Sequence, residues 1–389
     1  MKNFTFLNPT KIIFGSGVEN QTGEEVARWS KRVLLHYGGG SIKKTGLYDR
    51  VTASLRKAGV EFVELGGVQP NPRLSLVHEG VRLCRENKLD FILAVGGGSA
   101  IDSAKAIAMG VPYSGDVWDF YSGAVTPTQA LPVGTVLTIP AAGSESSNSS
   151  VVTNEDGWYK RGCTSDVIYP VVSFLNPELT YTLPAYQVAC GAADIMAHLM
   201  ERYFTNVENV ELTDRLIEAT LKTVIHNVPL VLAEPNNYAA WSEVMWAGTV
   251  AHNNLLDTGR IGDWASHGIE HEVSGIYDVA HGAGLAVVFP AWMKYVYPHD
   301  VKRFAQFAAR VWNVDYAFDC PERSVVQGIA SYEAFMHSIG LVTRLTDMHI
   351  PADRIPEMAA KATANDTSKL GNFVKLGQKD VEAILKLAV

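Results

Sequence analysis

The chain opens with short apolar runs that stop at glycine, each followed by a helical pattern. Val33-Leu34-Leu35-His36-Tyr37 ends at Gly38-Gly39-Gly40-Ser41, and a polar-faced helical segment follows from Ile42 to Ala58. Val60 to Leu65 alternates as a strand does and ends at Gly66-Gly67; helical spacing resumes from Arg73 to Asn87. Phe91 to Val95 is apolar throughout and ends at Gly96-Gly97-Gly98-Ser99, while Thr135–Ile139 and Val171–Leu175 read as further strands. Strands alternating with helices predict βαβ units and a parallel sheet covered on both faces. After Leu183-Pro184 the pattern changes. Ala185–Tyr203, Trp241–Leu256 and Trp264–Ser274 carry helical periodicity, and β-branched clusters thin out. The expectation is an α/β domain over residues 1–184 and an all-α domain over 185–389.

Composition narrows the function classes. A chain of 389 residues with 47% hydrophobic positions suggests two or three domains and has ample chain for a large core, at ~150 residues per domain. The formal net charge is −8, which argues against a nucleic-acid binder with a basic stripe. Cys84, Cys163, Cys190 and Cys320 lie far apart, without the Cys-x-x-Cys spacing of a zinc knuckle or redox pair. Met1-Lys2-Asn3-Phe4-Thr5 lacks the charged-then-apolar run of a signal peptide. The apolar stretch from Phe91 to Val111 is broken by Asp102 and Lys105, whereas a membrane span needs ~20 apolar residues. The chain reads as soluble and cytoplasmic.

Two glycine turns are candidate anion sites. Gly97, Gly98 and Ser99 follow a buried strand and open a helix, where bare backbone N–H groups and the helix dipole favour a phosphate. Ser99 is a potential cap and Asp102 lies in the first turn; an ordinary strand-to-helix turn explains the same residues, and the spacing is not Gly-x-Gly-x-x-Gly. Gly38, Gly39 and Ser41 stand where many nucleotide-binding folds place a ribose-holding carboxylate, with Lys43 and Lys44 behind them. A carboxylate repels a 2′-phosphate and this loop does not, so a dinucleotide bound here leans towards NADP(H). The stretch from Thr138 to Glu145, small residues and hydroxyls after a strand, either lines a cleft or caps a helix.

The helical half carries a second kind of chemistry. Ala189–Leu199 is apolar almost all round, hence buried, yet it holds Asp194 and His198 at i and i+4. A buried carboxylate must be paired or coordinated. An Asp–His hydrogen bond in the core is one solution; a metal ion is the other. His267 and His271 repeat the i, i+4 spacing, and His281 follows ten residues later. One carboxylate and three imidazoles suit Zn2+ or Fe2+. His267-Gly268-Ile269-Glu270-His271 also fits the inverted zinc-peptidase pattern, with Glu270 as base, but that leaves Asp194, His198, His281 and the glycine turns idle.

Taken together, Phe14-Gly15-Ser16-Gly17, Pro70-Asn71-Pro72, Gly96-Gly97-Gly98-Ser99-Ala100-Ile101-Asp102 and the histidine segments resemble the group III, iron-containing alcohol dehydrogenases. The likeness covers essentially the whole chain and leans to their NADPH-dependent butanol dehydrogenase and aldehyde reductase branch. The resemblance implies a Rossmann-like dinucleotide-binding domain, a helical domain and one divalent metal ion in a cleft between them. It implies Asp194, His198, His267 and His281 as metal ligands, and His271 as a catalytic neighbour of substrate and nicotinamide. It further implies Gly38, Gly39, Ser41, Gly97, Gly98, Ser99, Asp102, Thr138 and Lys160 as the NADP(H) site, small aldehydes or primary alcohols as substrates, and a homodimer. Enzymes similar in fold keep other readings open: a dehydroquinate-synthase-like lyase, a polyol dehydrogenase, or a non-catalytic NADP-binding sensor. The lyase needs basic residues to grip a phosphorylated substrate, whereas Ala, Met, Trp and Gly surround Asp194 and His267, with Arg260 the nearest basic residue to the second cluster.

Overall fold

The structure, a computed structural model, describes residues 1–389. Eight strands form: β1 (Lys11–Phe14), β2 (Arg32–Tyr37), β3 (Glu61–Leu65), β4 (Phe91–Gly96), β5 (Val133–Leu137), β6 (Ser149–Asn154), β7 (Tyr159–Thr164) and β8 (Val172–Leu175). Six make one parallel sheet in the order β1-β8-β5-β4-β2-β3, and β6 pairs with β7 as an antiparallel hairpin. The interior strands are buried along nearly their whole length and are mainly apolar, with His36, Thr135 and Ser173 as buried polar exceptions. Edge strands β1 and β3 are only partly covered.

Alternate side chains leave the sheet on opposite faces. Leu34, Ile92 and Ala94 join one core with the helices Leu74–Asn87 and Gly98–Gly110; Val33, Leu35, Leu93 and Val95 join the other with the helix Leu47–Lys57. Each fully buried Val or Leu contributes about 1.5–3 kcal/mol relative to exposure. The helix expected over Ile42–Ala58 is two, Ser41–Lys44 and Leu47–Lys57. Gly46 separates them at φ 70, a conformation in which glycine alone is unstrained.

The chain packs as two compact units, each interleaved in sequence: Leu7–Leu183 with Pro235–Asn253, and Met1–Phe6 with Pro184–Glu234 and Asn254–Val389. The helix Tyr238–His252, capped by the Asn237 side chain, thus packs with the sheet-bearing unit. It meets β1 through an edge-to-face pair of Phe14 and Trp246, 6.2 Å between centroids. The second unit is helical. Its helix Ala185–Tyr203 is buried without a break from Gly191 to Tyr203, and Phe204 stacks on Phe304 at 4.3 Å within an aromatic cluster that includes Trp292 and Phe373.

The helix Glu211–Ala233 is, by length and composition, long and apolar enough to cross a membrane, which the sequence reading did not anticipate. Its charges have protein partners. Asp214 is paired with Arg260 and Arg303, Glu218 with Arg310, while Leu221, Val224 and Val228 are buried.

Candidate active site

Three helices of the helical unit bring the metal-competent groups together. Ala185–Tyr203 carries Asp194 and His198, Ala265–Tyr277 carries His267, Glu270 and His271, and His281 is the first residue of His281–Val296. Two glycines make the approach feasible. A Cβ at Gly282 would lie 1.9 Å from the Cys190 carbonyl oxygen, and one at Gly284 2.6 Å from Glu270 Oε1. A side chain at Gly282 would force apart the backbones of two helices, and one at Gly284 would displace the Glu270 carboxylate that holds His281.

Each of the three inner imidazoles is oriented through Nδ1. His198 Nδ1 lies 2.9 Å from the Asp194 carbonyl, an acceptor only, so Nδ1 bears the proton and donates it. His267 Nδ1 lies 2.9 Å from Glu201 Oε1, and His281 Nδ1 contacts Glu270 Oε2. A ring whose Nδ1–H is engaged presents the Nε2 lone pair, the arrangement of metal-ligating histidines held by outer carboxylates and carbonyls. His267 Nε2 and His281 Nε2 lie 3.9 and 3.8 Å from Asp194 Oδ1. Asp194, His267 and His281 offer ligand atoms all within 4.8 Å of one another. The His198 ring centroid is 4.6 Å from that of His267.

The donor set fits a cation better than it fits a closed hydrogen-bond network. Asp194 Oδ1 and His267 Nε2 are buried and make no hydrogen bond. His198 Nδ1 is 3.1 Å from Asp194 Oδ1, but its proton is aimed at the backbone carbonyl, so this contact does not satisfy the carboxylate. A buried unsatisfied polar group costs about 1–3 kcal/mol, more when charged. Burial pushes the Asp194 carboxyl up, yet His198, His281 and His267 outweigh it and hold it well below the usual carboxylate range. Burial, followed by repulsion from His198 and His281, drives His267 well below an ordinary imidazole. An ionised carboxylate beside neutral imidazole is the protonation state a divalent ion requires.

Glu201 and Glu270 are the site's less legible members. Glu201 accepts from His267 N–H at 3.0 Å, from His267 Nδ1, and from Trp264 N–H, so one carboxylate both caps the helix Ala265–Tyr277 and sets the His267 ring. Burial pushes it up to about 7 against those hydrogen bonds. No sequence signal marked it, because its partners Trp264 and His267 lie 63 and 66 positions away. Glu270 engages His281, which leaves the peptidase-like reading without its free base. His271 sits one turn beyond His267, partly exposed, its ring centroid 5.7 Å from that of His281; Glu270, His271 and His281 form a second, overlapping group of close ligand atoms.

The candidate cofactor residues lie in the sheet-bearing unit. Gly97 caps the helix Gly98–Gly110 behind β4, and Thr138, just after β5, donates its N–H to the Gly96 carbonyl at 3.0 Å. A Cβ at Gly97 or Gly98 would lie 3.1–3.2 Å from Ile139 or Ala142, so these glycines also serve packing. Beyond β2, Gly38 lies against the Val68 carbonyl, where a Cβ would sit at 3.5 Å, whereas Gly39, Gly40 and exposed Ser41 face open space: a Cβ at Gly39 or Gly40 would meet nothing within 4 Å. Asp102 accepts from Ser144 Oγ at 2.6 Å and Val151 N–H at 3.1 Å, and burial raises it above an ordinary carboxylate. Lys160 is buried on β7 and coupled electrostatically to Asp102. Ser144, from the hydroxyl-bearing stretch Thr138–Glu145, belongs to this cluster, as does Lys105, to which the sequence assigned no role.

Profiles of the iron-containing alcohol dehydrogenase family match residues 9–177, and those of the C-terminal region of the Fe-containing alcohol dehydrogenases match residues 188–389. The chain belongs to the iron-containing alcohol dehydrogenase family. It is 46% identical to a probable NADH-dependent butanol dehydrogenase 2 of Bacillus subtilis, with 100% of both chains covered. It is 37% identical to the NADPH-dependent aldehyde reductase YqhD of Escherichia coli over 95% of each. The crystal structure of NADH-dependent butanol dehydrogenase A from Thermotoga maritima superposes with a TM-score of 0.96 at 40% identity, covering 100% of this chain and 99% of that one. As an iron-type alcohol dehydrogenase or aldehyde reductase, the protein works with a nicotinamide cofactor and a His/Asp metal site. Its relatives are named for both NADH and NADPH.

Proposed function

We propose that this protein reduces small aliphatic aldehydes, and oxidises the corresponding primary alcohols, with NADP(H). The observation that carries the reading is the buried convergence of orphaned Asp194 Oδ1 on the Nε2 side of His267 and His281, with His198 alongside. Asp194, His198, His267 and His281 would hold one Fe2+ or Zn2+ ion. A divalent ion supplies Lewis-acid polarisation of a carbonyl and steadies the negative charge that grows on its oxygen as hydride arrives from the nicotinamide. Asp194 lowers the net charge of the site and helps retain the cation. Glu201 and Glu270 keep the Nδ1 protons of His267 and His281 in place, so both rings stay oriented. His271, partly exposed, relays a proton between the substrate oxygen and solvent through its imidazole. Small, rather apolar substrates are the class for which butanol dehydrogenase relatives are named.

The NADP(H) preference rests on the end of β2, where Gly38, Gly39 and Ser41 stand in place of a ribose-binding carboxylate, with Lys43 one turn on. Gly97, Gly98, Ser99, Thr138 and Lys160 would take the remainder of the dinucleotide, with Asp102 behind them. A cytoplasmic homodimer is part of the same proposal. The four cysteines are free, and edge strand β1 offers unpaired backbone groups beside exposed Phe14 and Trp246; light scattering of the purified protein decides between monomer and dimer.

Protein reconstituted separately with Fe2+ and Zn2+, and assayed with a panel of aldehydes against NADPH and NADH, tests the reading. Turnover that disappears on chelation and is faster with NADPH supports it; undiminished turnover of metal-free protein contradicts it. His271→Ala should retain metal and cofactor while slowing proton-linked steps, with a flattened pH–rate profile. Metal lost from that variant instead makes His271 a ligand.

A further inference from the structure

Lys105 is the most deeply buried charge that this chemistry leaves unused. It lies in the helix Gly98–Gly110 with no exposure, and its ammonium points at one segment of chain. Nζ donates to the carbonyls of Ser144, Ser147 and Ser149 at 2.7, 2.8 and 2.9 Å, and contacts Ser144 Oγ and Ser147 Oγ at 3.0 and 3.3 Å. Five oxygens around one ammonium, three of them backbone carbonyls, is the way a protein dehydrates a monovalent cation. An ammonium has three protons and no acceptor, so this shell uses all of its bonding capacity.

The segment so gripped is continuous with one wall of the candidate cofactor turn. Ile139 and Ala142 pack on Gly97 and Gly98 closely enough that a Cβ on either glycine would press into them. One turn before Lys105, Asp102 holds Ser144 Oγ and Val151 N–H. Farther along, Glu145 Oε1 accepts from Thr249 at 2.6 Å and the Glu145 carbonyl accepts from Ser173 Oγ at 2.6 Å. The same helix therefore begins with the glycine turn and, at Asp102 and Lys105, grips the chain that backs that turn.

We propose that Lys105 is a positioning residue for nucleotide binding: a tethered monovalent cation that fixes the Ser144–Ser149 segment and, through it, the wall of the Gly97–Ser99 turn. It rests on placing the nicotinamide cofactor at that turn. Without the ammonium, the carbonyls of Ser144, Ser147 and Ser149 each lose a charged donor and the segment must open to water. The effect falls on cofactor affinity and leaves the chemical step intact.

Lys105→Ala in the metal-loaded full-length enzyme is expected to raise the KM for NADPH by about tenfold or more, with kcat at saturating NADPH within about threefold of wild type. Ammonium or methylammonium chloride, compared with sodium chloride at equal ionic strength, should lower that KM again. Lys105→Gln, which keeps two donors but no charge, should lie between. A folded variant with unchanged KM, or one whose elevated KM ignores ammonium, overturns the proposal. Should Lys105→Ala not fold, amide exchange of the wild type decides: NADPH must slow exchange across Ser144–Ser149, and an unchanged rate overturns the proposal. Wild type that binds neither NADPH nor NADH defeats the cofactor reading and this inference with it. Wild type that binds NADPH no better than Lys105→Gln defeats this inference alone.

Discussion

Two buried clusters of charge, one in each unit, differ in one respect. Around Lys105, Asp102 and Ser144 in the sheet-bearing unit, the ammonium has five oxygen partners and both carboxylate oxygens accept hydrogen bonds. Around Asp194 in the helical unit, Oδ1 and His267 Nε2 are buried without a hydrogen bond while every outer Nδ1 is engaged. The first cluster is closed and reads as scaffold. The second is closed on its outside and open at its centre, which is the signature of a ligand site. The carboxylates respond accordingly: burial raises Asp102, whereas three facing histidines overcome burial and lower Asp194.

The largest test of this contrast is Asp194→Ala. It removes the only carboxylate among the inner ligands and should reduce turnover by at least about 10³-fold, with stoichiometric metal lost on elemental analysis. A variant that retains metal and rate puts the cation elsewhere. Next come the outer carboxylates. Glu201→Gln and Glu270→Gln keep shape but weaken the hold on His267 and His281, and metal affinity should fall about 10–100-fold by competition with a chelator. Unchanged affinity in both would make the cluster's outer shell irrelevant.

Smaller effects belong to the sheet-bearing unit. Gly39→Asp places a carboxylate at the open end of β2 and should shift the ratio of kcat/KM for NADPH over NADH by about tenfold towards NADH. An unaltered ratio moves the specificity determinant off this loop. The last effect touches stability and leaves turnover alone: His36 is sealed between the Leu65 carbonyl and Ser103 Oγ at 2.9 and 2.8 Å. Burial lowers its pKa to about 4, with the Leu65 hydrogen bond opposing. The folded protein keeps His36 neutral while the unfolded chain takes up a proton below its ordinary value near 6.5. Its contribution is therefore fully present above pH ~6.5 and is lost as pH falls towards 4, up to about 3 kcal/mol. His36→Gln should flatten that part of the stability–pH curve of metal-free protein in urea unfolding; parallel curves refute the assignment.

Much of the scaffold was readable because its signals are local. β2, β4, β5 and β8 announce themselves as apolar runs ended by glycine or polar residues, and Asp194, His198, His267 and His281 stand out as polar groups in apolar helical surroundings. What escaped depends on distant partners. β6 and β7 are rich in Ser, Thr and charged residues, and only their pairing with each other makes strands of them. The periodicity of Trp241–Leu256 announced a helix but not that it packs with the sheet-bearing unit. Glu201, Glu270 and Lys105 carry no spacing rule that reveals their roles, because their partners lie 11 to 66 positions away in sequence.

The central claim is that one divalent cation sits among Asp194 and the Nε2 atoms of His198, His267 and His281. Anomalous diffraction from crystals of the metal-loaded protein, at the iron and zinc absorption edges, tests it directly. The account predicts a single peak at about 2.0–2.2 Å from Asp194 oxygen and from those three nitrogens. A peak bonded to Nδ1 atoms, a peak away from Asp194, or an active crystal with no peak at any metal edge would contradict it.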